Sequence, residues 1–392
     1  MSLNNLYFAL SKLGRHSEAL PFIEESINLY RQLVAVHPGS YTPNLATSLN
    51  NLFSALSNLG RHSEALPFIE EAVNLYRQLV AVHPGSYTPN LAAALENLSG
   101  ALSNLGRHSE ALPFIEEAVK LRRQLVAVHP GSYTPNLATS LNNLYFALSN
   151  LGRHSEALPF IEEAMKLQRQ LVAVHPGSYT PNLAASLNNL YFALSNLGRH
   201  SEALPFIEES VNLYRQLVAV HPGSYTPDLA MSLNNLYFAL SELGRHSEAL
   251  PFIEESVNLY RQLVAVHPGS YTPDLAMSLN NLYDALSNLG QHSEALPFIE
   301  EAVKLWRQLV AVHPGSYTPD LATSLNNLYF ALSNLGRHSE ALPFIEEGVK
   351  LRRQLVEINP GAYATRFANS LRHLRNALSN LGRDSEAQMV HS

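Results

Sequence analysis

Histidine is the residue type whose number and regular placement in this chain could support chemistry. Of 17 histidines, eight follow a Leu-Gly-Arg or Leu-Gly-Gln turn, as His62 and His292 do, and seven precede Pro-Gly, as His83 does. Repeated imidazoles suggest metal binding. Zinc, however, needs ligands about 2 Å from the ion, whereas one residue repeated in neighbouring helices recurs roughly 10 Å apart, a helix diameter. His62 is therefore read as filling an aromatic packing place, and His83 as sitting at a helix C-terminus, where a cationic ring is favoured. The recurring acid pair Glu70-Glu71 is no better suited to acid–base work, because adjacent helical residues point apart. There is no cysteine, no Gly-Lys pair for a phosphate loop, no HExxH helix and no GxSxG elbow. The sequon Asn97-Leu98-Ser99 falls within a helical stretch and is incidental. The chain is read as non-enzymatic, with no catalytic residue, cofactor or metal site.

The remaining patterned positions suit binding. Asn142, Asn188, Asn234, Asn280 and Asn326 each fall one helical turn before Phe146, Phe192, Phe238, Asp284 and Phe330. An asparagine amide can both donate to and accept from an extended peptide backbone. A phenylalanine row supplies apolar anchors of the kind found at binding hot spots. A second reading is equally open: each phenylalanine tucks against the next helix, and the asparagines bond one another between repeats. Trp306 stands where other copies have Tyr76, Arg122 or Gln168. That scatter points to a partly exposed, structural place.

The elements that must carry these residues repeat. A Leu-Gly glycine recurs every 46 residues from Gly14 to Gly382, HSEALPFIEE occurs eight times and VHPGSYTP seven. In the second repeat, Thr42-Pro43-Asn44 reads as a helix start, with threonine capping and proline at the first position. Where aspartate follows the proline (Asp228, Asp274, Asp320), it suits the positive end of that helix. Leu45, Leu49, Leu52, Leu56 and Leu59 then form one face, and Gly60 ends the helix. Ser63 reads as the cap of a second helix. This helix carries one apolar stripe through Ala65, Leu66, Ile69, Ala72, Val73 and Tyr76 and another through Phe68, Leu75 and Val82. Pro84 stops it at His83, and Pro84-Gly85-Ser86-Tyr87 reads as the link onward. A helix apolar on two sides must be sandwiched, so the pairs must stack on one another.

The expected organisation is a single array over 1–392 with about eight 46-residue helix pairs and no second domain. Residue 1 falls inside a first helix that lacks its Thr-Pro start. A divergent lone helix over 365–381, bearing Arg366, Arg372, Arg375 and Asn376, precedes a short tail over 382–392.

Composition narrows the function classes. Apolar residues make up 46% and charged residues only 15%, with a net charge of −7 and five lysines. This is the composition of a packed chain, without the basic footprint of a nucleic-acid binder or an affinity for anionic membranes. No apolar run is long enough to span a membrane, and the start is no signal peptide. A cytoplasmic location is expected.

Asn51-Leu52, Leu59-Gly60-Arg61-His62-Ser63-Glu64-Ala65-Leu66 and Ala72 together resemble the tetratricopeptide repeat. Leu49-Asn50-Asn51-Leu52 and Glu64-Ala65-Leu66-Pro67 are similar to its kinesin-light-chain type. A HEAT-like or armadillo-like array has a similar period but not these signals. The period of 46 exceeds the usual 34 or so, which is read as a longer second helix plus the Pro-Gly link. The place after Leu52, small in the family, holds Phe53 and, in six other copies, tyrosine (Tyr7, Tyr145, Tyr191, Tyr237, Tyr283 and Tyr329), which implies wider packing within those pairs. The resemblance implies an all-α, right-handed solenoid of helix-turn-helix repeats. It also implies a protein-binding scaffold that holds an extended peptide or partner helix in a groove. Asn142, Phe146, Asn188, Phe192, Asn234, Phe238, Asn280, Asn326 and Phe330 are the expected groove residues. The alternative is a structural spacer, or an array that associates end to end with itself. Similar arrays also serve as sensor segments of large signalling ATPases.

Overall fold

The structure, a computed structural model, describes residues 3–390. About 90% of the chain is helical and the described residues contain no strand. They divide into two compact units between Arg199 and His200, although the repeat runs through that point without a change of period. The first unit holds α1 (Leu3–Lys12), α2 (His16–Val36), α3 (Pro38–Asn58), α4 (His62–Val82), α5 (Pro84–Asn104), α6 (His108–Val128), α7 (Pro130–Asn150), α8 (His154–Val174) and α9 (Pro176–Ser195). The second holds α10 (His200–Val220), α11 (Pro222–Glu242), α12 (His246–Val266), α13 (Pro268–Asn288), α14 (His292–Val312), α15 (Pro314–Asn334), α16 (His338–Ile358), α17 (Pro360–Asn380) and α18 (Asp384–Met389).

Within each unit every helix packs on the next in the chain. In the first unit α7 also touches α5 and α9, and in the second α13 touches α15. Each unit is thus a stack of helix-turn-helix pairs, with odd-numbered helices forming one layer and even-numbered helices the other. The leucine face of α3 is core: Leu45, Leu49, Leu52 and Leu56 are at most 4% exposed. Ala65, Ile69, Ala72, Val73 and Tyr76 of α4 meet it. Each large side chain buried there contributes about 1.5–3 kcal/mol. The second stripe of α4 is only partly covered: Phe68 and Leu75 are half-buried and Val82 is exposed.

Three local expectations are corrected. The Pro-Gly-Ser-Tyr segment is no link but the first turn of the next helix, so α3 starts at Pro38 and not at Thr42. Pro38 loses nothing at the first helical position. Pro43, inside the helix, leaves only the carbonyl of exposed Gly39 without an amide donor. Thr42 does not cap; its Oγ1 donates to the Pro38 carbonyl at 2.7 Å. Both helices of the pair are therefore 21 residues long, and the extra length is shared between them. The divergent terminal helix likewise starts at Pro360, and the tail carries α18.

Ser63 does not cap α4, which begins at His62 after Arg61. The turn explains why. Gly60 has φ +73°, its amide donates to Ser57 and the Arg61 amide to Leu56, at 3.0 and 2.9 Å. This double closure of the helix C-terminus feeds the chain straight into α4. Arg61 then pairs with Glu64, Nε to Oε1 at 2.9 Å.

The third correction concerns aspartate. Because α11 starts at Pro222, Asp228 sits in its second turn, away from the helix dipole's positive end. Partial burial raises its carboxyl above the usual range.

The Glu70-Glu71 pair also finds its role. Glu71 accepts from Arg31 at 2.6 Å, and Glu117 from Arg77 at 2.6 Å, so exposed ion pairs tie consecutive even helices together. Each contributes at most about 1 kcal/mol.

Candidate functional site

On the odd helices, the side away from the leucines is polar, and its asparagines are engaged between repeats. In the first unit Asn97 donates to Asn50 Oδ1 at 3.0 Å and Asn189 to Asn142 Oδ1 at 3.2 Å. Asn142 Nδ2 in turn donates to Ser186 Oγ at 3.2 Å. Asn188 is buried. In the second unit Asn234 is only 7% exposed. It donates to Ser256 at 3.0 Å and Ser278 at 2.7 Å, and accepts from Asn281 at 3.3 Å. Asn280 donates to Ser324 at 2.7 Å, and its Oδ1 is buried without a protein partner. Asn326 Oδ1 lies 3.1 Å from His373 Nδ1.

The phenylalanines behave differently. Phe146, Phe192 and Phe238 are 47%, 41% and 42% exposed. Each ring lies 5.1 Å from the ring of the tyrosine before it. Phe330 is half-buried, its ring edge-on to His373 of α17 at 4.8 Å. Phe8, Met231 and Met277 are further exposed apolar side chains on the odd helices. Exposed apolar side chains grouped on one face mark interaction surfaces more often than scattered ones do.

Beneath this face lies a buried position that sequence scatter placed wrongly. Tyr76, Arg122, Gln168, Tyr214, Tyr260, Trp306 and Arg352 are equivalent, and none is more than 7% exposed. The helical stripe through Ile69 and Val73 to Tyr76 was the signal for burial. Some copies carry their own polar partner and others do not. Tyr76 Oη meets Thr47 Oγ1 at 3.0 Å. Arg122 grips Glu96 at 2.9 and 3.1 Å, and Ser140 donates to the same carboxylate. Trp306 packs 5.8 Å from Tyr317, and its Nε1, like Gln168 Oε1, has no protein partner.

Two clefts lie on the other layer. One of about 510 Å3, lined by Val119, Lys120, Leu144 and Phe160, sits among α6, α7 and α8. Its copy of about 460 Å3 sits among α14, α15 and α16. Lysine at the Lys120 place marks them only weakly in the sequence, since Lys166 and Lys350 hold the same place in two other repeats. Their rims are partly engaged, since Arg123 and Arg307 pair with Glu163 and Glu347.

Electrostatically, the odd-helix face of the second unit is the more acidic. Crowding desolvates the Asp284 carboxyl and pushes it up to about 6. Tyr237, buried and beside Asp284, rises to about 12. Six of the eight turn histidines, among them His62 and His154, keep Nδ1 buried without a protein partner. Among the described residues no three potential ligands gather to hold a metal ion, and no helix is long and apolar enough to cross a membrane.

Solved structures share the fold at low identity. BtubC (BKLC) from P. vanneervenii aligns with a TM-score of 0.52 and 17% identity, over 63% of this chain and 92% of its own. The apo form of the quorum sensor NprR from B. thuringiensis aligns with a TM-score of 0.51 and 12% identity, over 97% of both chains. A putative kinesin light chain with nearly identical TPR-like repeats from Podosopora anserina gives 0.45 and 21%, over 57% of this chain and 98% of its own. No curated protein matches the chain. Sequence profiles described as tetratricopeptide repeat match residues 44–124, and again 1–39, 137–177, 183–223, 229–269, 275–315 and 321–360. With most of its length so matched, and with paired helices stacked repeat on repeat, the chain belongs to the tetratricopeptide-repeat family.

Proposed function

We propose that the protein is a non-catalytic binding scaffold whose odd-helix faces hold an extended peptide or a partner helix. The observation that carries this reading is the exposure of Phe146 and Phe192 at equivalent places on the touching helices α7 and α9. Two aromatic side chains left partly in water at the spacing of the repeat supply anchor points for apolar ligand side chains. Phe238 of the second unit has the same exposure. The asparagines support the reading indirectly: by bonding between repeats they fix the helices that present the rings.

The test compares wild type with the triple variant Phe146→Ser, Phe192→Ser, Phe238→Ser, immobilised and screened against one peptide library. Circular dichroism first establishes equal helicity. Peptides held by wild type and lost by the variant are the expected result. Identical retention by both, or by neither, removes these residues from the site and leaves the spacer role as the better account.

A further inference from the structure

One repeat lacks a charge that another supplies to itself. Five periods after Glu96, Arg122 and Ser140 stand Asn326, Arg352 and Ser370. In the earlier copy the Glu96 carboxylate sits between Arg122 and Ser140 and bonds both. In the later copy the arginine and the serine remain and the carboxylate is gone. Arg352 is 7% exposed, donates to Ser370 Oγ, and among the described residues forms no ion pair. Taking a guanidinium out of water without a counter-charge is strongly unfavourable. Burial, reinforced by Arg366, accordingly pushes Arg352 down to about 10.

The space left is a cavity of about 450 Å3 on the odd-helix face, between α15 and α17, with Arg352 of α16 at its floor. Thr323, Asn326, Asn369 and His373 line it, and Asp320 and Arg366 oppose each other at equivalent places on the two helices. Those two charges offset one another, so the uncompensated charge is that of Arg352. A planar carboxylate matches the guanidinium fork with two parallel hydrogen bonds. Asn326 is held aside by His373 at 3.1 Å.

We propose that this cavity binds a carboxylate side chain of an acidic peptide, which takes the place that Glu96 fills in the earlier repeat. The inference rests on the peptide-binding reading only for the source of the carboxylate. The ligand is an acidic residue because the chain's own example of an occupant is a glutamate.

The probes are the tetrapeptide Ac-Gly-Glu-Glu-Gly-NH2 and its glutamine counterpart, titrated calorimetrically into the full chain. Wild type is expected to bind the glutamate peptide with a Kd of about 1 mM or tighter, and at least tenfold more tightly than the glutamine peptide. Asn326→Glu rebuilds the internal pair and should lose at least tenfold in affinity while melting no lower than wild type, which separates loss of the site from loss of the fold. Arg352→Gln should lose the same. Equal binding by wild type and Asn326→Glu, equal binding of both peptides, or no binding to wild type overturns the proposal. Tenfold preference for a phosphoserine tetrapeptide overturns it in favour of a phosphate site. The triple phenylalanine variant should bind the tetrapeptide as wild type does, so failure of the phenylalanine surface and failure of the carboxylate pocket are read separately.

Discussion

Arg122 and Glu96 form a largely buried ion pair, 5% and 17% exposed at the side chains, with hydrogen bonds of 2.9 and 3.1 Å. It joins an even helix to the odd helix before it, and Ser140 brings in the odd helix after it. Removing one partner strands the other charge. Glu96→Gln should therefore destabilise by about 3 kcal/mol, the range for breaking a buried pair. In an array where each repeat touches mainly its neighbours the loss is local. Hydrogen exchange should quicken in α5–α7 and not in α1–α2. The double change Glu96→Asn, Arg122→Tyr recreates the Asn234 and Tyr260 combination found later in the chain. It should recover most of the loss, and failure to recover would mean that the charge itself is needed there.

Asn234 shows what the asparagine ladder contributes. Its side chain donates twice and accepts once while 7% exposed. Asn234→Ala would leave Ser278 and Asn281 without this partner, and Ser256 with only its bond to the Ala230 carbonyl. The expected cost is about 2 kcal/mol, the sum of lost hydrogen bonds and a small cavity. Denaturant unfolding checks the size. Faster exchange confined to α11–α13 checks the place.

The array was legible because its signals are local and repeated. The leucine spacing of α3 and the glycine of each turn state helix, face and stop within one copy, and the other copies restate them. Helix starts were harder. Two prolines five residues apart compete for the first position, and only the extended backbone at His37, φ −134°, decides for Pro38. The candidate site divides in the same way. Exposure of Phe146 and Phe192 follows from their angle on the helix. The side-chain partners of Asn142 and Asn234 lie 22, 44 or 47 residues away, and which of two adjacent asparagines turns inward is set by packing between repeats. The Arg352 cavity appears only when distant copies are laid over one another, because its mark is a missing glutamate.

Gly348 is a stabilisation site. It lies inside α16 where all seven other copies have alanine or serine. A Cβ there would meet only the Ala322 carbonyl oxygen at 3.7 Å and Leu325 Cβ at 3.8 Å, ordinary contacts. Gly348→Ala should therefore stabilise by about 0.5–1 kcal/mol, through the lower entropy of the unfolded chain and better helix propensity. Gly60→Ala is the control. Nothing crowds its Cβ, but φ +73° is disfavoured for any side chain, and the change should destabilise by about 1 kcal/mol. Opposite shifts in the thermal midpoint are expected. Shifts of the same sign would show that backbone conformation does not govern these two positions.

Asp284 gives the pH dependence a sign. It replaces the phenylalanine of its neighbours on α13, and desolvation raises its folded carboxyl to about 6 from the ordinary 3.8. The folded state then holds the proton more tightly than the unfolded state. Between those two values the folded chain carries more protons, so stability falls as pH rises. The full contribution is present below about pH 4 and is gone above about pH 6. Asp284 is nevertheless exposed to solvent, so the size should stay below about 1 kcal/mol. Asp284→Asn removes the titration. The variant should match wild type at pH 4.5 more closely than at pH 7.5, and should melt higher than wild type at pH 7.5. The two pH values bracket the transition, so a difference between the proteins that is the same at both would show that Asp284 carries an ordinary, water-exposed carboxyl. Above pH 6 its charge also faces any ligand on this side of the second unit. Basic peptides should therefore gain affinity there with rising pH in wild type, and Asp284→Asn should lose that gain.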